Sequence, residues 1–269
     1  MSKTKRNHYL SQCISKNFAV GGSNTFWEYN CMTKSEVRPK NIRNLFSDMR
    51  LWGQELEDAL SNEYENELSI YLKELNEKYI CQTVIPGRYG LEAPQFYIEE
   101  ILDDKVKKTL SKLWFQILLI QLRNADTKDI TNEKIIKSLY ATGVDLKMQV
   151  GLVELNKRVN YPPLILVDVM AFAYFVPEYD VKTNTKGYVC WMMPISPTRF
   201  LIWGNKQDIL YFCKKYNDID YLNLCRIAQQ GKQCRIATQN YDYLESLIPQ
   251  INSFNSGNNV VKIESVRNL

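Results

Sequence analysis

The chain has 269 residues, of which 45% are hydrophobic and 24% charged, enough to bury a substantial core as one large domain or two small ones. Its single histidine, His8, excludes any metal site built from two or three histidines in one chain, and its seven cysteines are scattered singly with no CxxC pair. That odd, dispersed set argues against a disulfide framework and against a cysteine zinc site, and fits a reducing cytoplasm.

Net charge is +4 overall but uneven: residues 1–50 carry a net +6, residues 51–105 a net −9 and residues 106–269 a net +7. The pattern fits ordinary surface charge, or a basic cleft for a phosphate-bearing ligand. The first sixteen residues are basic and polar, predicted extended and then a short helical turn. They lack an apolar stretch, so they do not read as a secretory signal. After Gly21-Gly22 the aromatic run Phe26-Trp27-Glu28-Tyr29 predicts a strand, paired in a hairpin with residues 17–20. Residues 38–46 read as a polar, irregular connection.

Residues 54–79 predict an amphipathic helix, with Leu56, Leu60, Tyr64, Leu68, Tyr71 and Leu75 at spacings of three and four. Pro86-Gly87 and Gly90 place a loop at 80–96. A long helix is then predicted from about residue 95 to residue 124. Its second half is apolar on every side, which makes it a core helix, and Gln121 falls on its buried stripe. Further helix is predicted over 131–140 and, past Gly143, over 144–159. Tyr161-Pro162-Pro163 stops it.

Beyond that point strands are predicted at 164–167, 172–176, 188–193, 199–203 and 235–238. Residues 209–215 are ambiguous. Helices are predicted at 221–231 and 241–251, and a loose polar tail at 253–269. Asn223, in mid-helix, predicts a buried structural hydrogen bond. The expected fold class is therefore α+β: a helical N-terminal two-thirds packed on a small mixed or antiparallel sheet from the C-terminal third, with a short N-terminal hairpin, all within a single domain over 1–252.

Several fragments, in order, resemble a bacterial family of uncharacterised proteins. They are Asn7-His8-Tyr9-Leu10-Ser11-Gln12 with Asn17-Phe18-Ala19, then Trp27-Glu28-Tyr29, Asn41-Ile42, Leu56-Glu57 with Glu63 and Glu67, and Gln121-Leu122-Arg123. Near the end come Pro197 to Asn205, and Leu222-Asn223 with Arg235-Ile236-Ala237. Together they are similar to the domain-of-unknown-function family four-two-three-eight. Each motif is short. Ser11 stands where the family has proline, Trp203-Gly204 where it has Ser-Asp, and Lys206 where it has proline. The resemblance implies a fold and candidate positions, and no activity.

Among the candidates, His8 alone has an unperturbed pKa near neutrality and suits general acid–base work. Glu63 and Glu67, four apart, share a helix face and suit proton handling or a divalent cation such as Mg2+. Gln121, Arg123 and Asn205 suit substrate binding, the arginine through its fixed fork. The bland alternatives are a surface histidine, a solvated acidic face, a satisfied core amide, a snorkelling arginine and a Gly-Asn turn. No P-loop, GxGxxG, zinc finger or RNP signature occurs.

Two functional readings follow. In the first, the chain is a cytoplasmic effector that processes a nucleic acid or nucleotide, a nuclease-like hydrolase in toxin or antiviral-defence service. The defence setting comes from how such families are often placed, not from any residue. In the second, the chain is a non-catalytic binding module for a protein or nucleic-acid partner, with no membrane involved. The first requires His8, Gln121 and Asn205 to meet.

Overall fold

The computed structural model describes residues 6–8, 10, 12–49, 65–85, 96–101, 104, 149–156, 162–167, 172–178, 186–215, 219–230 and 234–255. The apolar run at 112–124 and the segments 54–64 and 131–140 lie outside these residues.

Three antiparallel sheets organise what is described. β1 (Arg6–His8) and β4 (Ser47–Met49) make a two-stranded ribbon. A six-stranded sheet runs in the order β5 (Thr83–Ile85), β6 (Phe96–Glu100), β7 (Gln149–Leu155), β11 (Arg199–Gly204), β10 (Lys186–Ser196) and β9 (Phe172–Glu178). A four-stranded sheet runs in the order β3 (Arg38–Asn41), β2 (Thr25–Asn30), β12 (Arg235–Thr238) and β8 (Leu166–Val167). The helices are α1 (Gln12–Lys16), α2 (Asn66–Glu77), α3 (Lys206–Lys215), α4 (Ile219–Gln230) and α5 (Tyr241–Asn255), with a 3-10 turn at Ile42–Asn44.

This overturns the expected α+β arrangement of a helical N-terminal two-thirds on one small sheet. Strands run from residue 6 to residue 238, and the larger sheet takes three of its six strands from the part read as helix and loop. The physical reason is visible in β7. Val150-Gly151-Leu152-Val153 is a short apolar run, which periodicity alone cannot assign to helix or strand. Burial of residues 150–155 on both faces between β6 and β11 decides for strand. Gly151 suits that place: a Cβ there would sit 2.9 Å from Ile98 Cδ1 on β6 and 3.4 Å from Ile202 Cγ2 on β11.

The N-terminal hairpin is also corrected. Residues 17–19 close the end of α1, with the amides of Asn17, Phe18 and Ala19 donating to the carbonyls of Ile14, Ser15 and Lys16. β2 instead pairs with β3 and β12. Pro39 is tolerated because β3 is an edge strand of its sheet. Gly21 and Gly22, at φ of 65° and 75°, supply the left-handed turn before β2.

Helices cover both faces of the larger sheet. On the α3 face, Phe200 meets Phe96 edge-on at 5.9 Å and Phe212 at 6.5 Å. On the other face Trp191 stacks on Trp203 at 6.4 Å. There Arg199 reaches the end of α2, donating through Nη1 to the carbonyls of Leu75 and Asn76 at 2.9 and 2.7 Å and through Nη2 to Glu154 Oε2 at 2.8 Å.

The four-stranded sheet is sandwiched. Phe26, Leu166 and Ala237 join the main core, whereas Tyr29, Val167 and Ile236 pack with Leu224, Ile227, Leu244, Leu247 and Ile251 of α4 and α5. Alternation along each strand sends neighbouring residues into different cores.

Candidate functional site

Where the two larger sheets meet there is a cleft of about 260 Å³. The β10–β11 turn abuts the chain before β8, with the Leu164 amide donating to the Pro197 carbonyl at 2.8 Å. Phe18, Phe26, Pro163, Leu164, Pro197 and Ala237 give the cleft apolar walls, and Val20 stands at the rim. Its polar edge is Thr238, Gln239 and Asn240, the link from β12 into α5.

That edge is held by its own hydrogen bonds. Asn240 caps α5, its Oδ1 accepting from the Tyr243 amide at 3.0 Å. Thr238 Oγ1 accepts from the Asn240 amide at 3.2 Å. Gln239 clamps the glycine turn: Oε1 accepts from the Val20 amide at 2.7 Å and Nε2 donates to the Ser23 carbonyl at 2.7 Å. The wall carrying Phe18 and Val20 is thus tied to a residue more than two hundred positions away.

Behind the cleft a polar network fixes α4. Asn223 is fully buried. Its Nδ2 donates to the Pro163 carbonyl and to Tyr243 Oη, both at 2.9 Å, while its Oδ1 accepts from the Ile165 amide and from Arg226 Nη1, both at 3.3 Å. Tyr243 Oη in turn donates to Asp220 Oδ1 at 2.7 Å. Arg226, also fully buried, donates to the Ile165 carbonyl at 2.8 Å. The structural hydrogen bond expected at Asn223 is therefore present, and it sets the position of Pro163 in the cleft wall.

The residues singled out from sequence are placed as follows. His8 lies on β1, paired with Ser47 of β4. Glu67 is the second residue of α2. Asn205 is exposed between β11 and α3; its carbonyl accepts from the Ile209 amide at 3.0 Å and its Nδ2 donates to Asp208 Oδ2 at 3.4 Å. Glu63, Gln121 and Arg123 fall outside the described residues. His8 thus lies in the two-stranded ribbon, and Asn205 in the link that follows β11 of the six-stranded sheet. Among the described residues no group of three or more His, Cys, Asp or Glu side chains could hold a metal ion. The cleft itself escaped sequence reasoning: its walls come from two proline turns, the loop after α1 and the strands β2 and β12, and Gln239-Asn240 falls between the strand predicted at 235–238 and the helix predicted at 241–251.

All seven cysteines are thiols and all are buried. Burial, helped by the Glu154 carboxylate, pushes Cys81 up to about 11, and burial pushes Cys213 up to about 12. Cys190 is raised well above its ordinary value by burial and by the neighbouring Cys213 and Asp208. Such thiols are poor nucleophiles. At pH 8 the native protein is expected to react negligibly with a colorimetric thiol reagent, and all seven groups are expected to react in denaturant. Prompt reaction of the folded protein would contradict the burial. Because these pKa values lie above the unfolded value of about 8.5, the stabilisation is full below that pH. It is lost as pH rises through the folded values of about 11 and about 12.

Among the described residues no helix is long and apolar enough to cross a membrane. No protein-family model, curated protein or solved structure matches the chain.

Proposed function

We propose that the chain is a non-catalytic binding module for a protein partner, with the cleft between the two sheets receiving one side chain of that partner. The carrying observation is the lining: among the described residues it consists of six apolar walls, one rim valine and three neutral polar residues, none of them ionisable. Such a surface suits desolvation and orientation of an apolar group rather than proton transfer, which needs a titratable group within reach of the substrate. The pocket is sized for a side chain rather than a whole cofactor. A reducing, cytoplasmic setting suits seven buried thiols.

The test is a titration of the isotope-labelled full chain, followed by NMR. One arm uses N-acetyl methylamides of leucine, valine and phenylalanine. The other uses nucleoside monophosphates, because the sequence also supports a nucleic-acid-processing effector. The amides of Val20, Ala237, Gln239 and Asn240 are expected to shift with the amino-acid derivatives and not with the nucleotides. Shifts with nucleotides alone, or with neither set, would overturn the proposal.

A further inference from the structure

We infer that Gln239 is the latch of a short flap, residues 20–23, and that latching this flap readies the cleft for its occupant. This role rests on the binding-module reading and adds how that site is controlled. The flap stands between two fixed points. Before it, Phe18 is 3% exposed, and its amide donates to the Ser15 carbonyl at the end of α1. After it, the Asn24 carbonyl accepts from the Ile42 amide at 2.8 Å.

Between those points the chain packs on little. Val20 is 62% exposed, and Gly21, Gly22 and Ser23 are exposed too. Among the described residues, a Cβ built at either glycine would meet no atom within 4 Å beyond its chain neighbours. Within the turn, the Ser23 amide donates to the Val20 carbonyl at a long 3.4 Å. At the junction with β2, Ser23 Oγ accepts from the Thr25 amide at 3.3 Å. Every other hydrogen bond of the flap among the described residues goes to Gln239, and both of these are 2.7 Å. Two glycines in succession leave the backbone many alternatives once those bonds are lost. Val20 would then no longer be held where it lines the cleft.

The latch itself is well anchored. Thr238 on one side is 6% exposed, and Asn240 on the other caps α5. A side-chain amide both accepts and donates, which is what the Val20 amide and the Ser23 carbonyl together require. A wall that is ordered only part of the time lowers affinity by that fraction. Holding it in place strengthens binding without any new contact to the occupant. Gln239 acts through Val20 and is a positioning residue.

The experiment compares the labelled full chain with Gln239→Ala and Gln239→Glu at neutral pH. Glutamate keeps the length and the acceptor, but sets an oxygen where the donor to the Ser23 carbonyl stood. NMR relaxation reads the flap without any ligand. Order parameters at Gly21 and Gly22 are expected to fall from about 0.85 in the wild type to below about 0.6 in both variants. Titration with N-acetyl-leucine methylamide reads the site. Both variants are expected to bind it about tenfold more weakly, with the Ala237 amide still shifting at saturation. Unchanged order parameters in Gln239→Ala would overturn the latch and leave the cleft reading intact. Wild-type behaviour of Gln239→Glu would also overturn it, since the side chain would then act by filling space. A loosened flap with unchanged affinity would overturn its hold over the cleft. Absence of binding to the wild-type chain would overturn the binding reading and this role with it, and that failure is seen before any variant is titrated.

Discussion

Replacing Arg226 by alanine is expected to lower stability by about 4 kcal/mol, from the loss of hydrogen bonds made by a charged group and the void left by a fully buried side chain. In a chain of this size that corresponds to a fall of roughly 10 °C in Tm. The guanidinium is wholly enclosed and donates to the Ile165 carbonyl and to Asn223 Oδ1. Its loss leaves a buried carbonyl short of a donor and a void beneath α4. It also releases Asn223, whose amide holds Pro163. Thermal unfolding followed by circular dichroism checks this, and a shift under about 2 °C, well below the expected effect, would mean that the arginine is not part of the framework.

Arg199→Ala is expected to cost about 3 kcal/mol, the lower end of the range for a buried pair, since Arg199 and Glu154 keep 12% and 11% side-chain exposure. The guanidinium joins three parts of the fold: β11 that carries it, β7 through Glu154, and the C-terminal end of α2 through two main-chain carbonyls. Those carbonyls sit at the negative end of the helix dipole, where a cation is favoured. Removing the arginine alone strands Glu154 in a place with little water. The double variant Arg199→Met with Glu154→Leu is therefore expected to be more stable than Arg199→Ala. Denaturant unfolding of the three proteins measures the difference. A double variant as unstable as the single one would show that the helix carbonyls, rather than the ion pair, dominate.

The C-terminal strands and helices are legible in sequence because their signals are local. Phe200–Trp203 of β11 is an unbroken apolar and aromatic run, and the aliphatic spacing of Leu244, Leu247 and Ile251 marks the buried side of α5. β6 and β7 are not legible in this way. Phe96-Tyr97-Ile98 has strand composition, yet it sits beside a long apolar segment whose periodicity suggests helix. What makes β6 a strand is its pairing with β7, more than fifty residues away, and a linear pattern carries no record of such pairing. The site was hidden for a related reason. Gln239 and Asn240 look like turn residues until the loop they clamp and the helix they cap are in view.

The pairing of β2 with β12 has a consequence for biosynthesis. Residues 25–30 meet β3 soon after synthesis, but their other neighbour comes only at residues 235–238, and the hydrogen bond of Tyr29 Oη goes to Asn252. An emerging chain must keep the β12 side of this aromatic strand, and the place of the helix that covers Tyr29, unfilled while some two hundred further residues are translated. At about 5–20 residues per second that wait lasts tens of seconds, during which this early aromatic strand is a natural client for a chaperone.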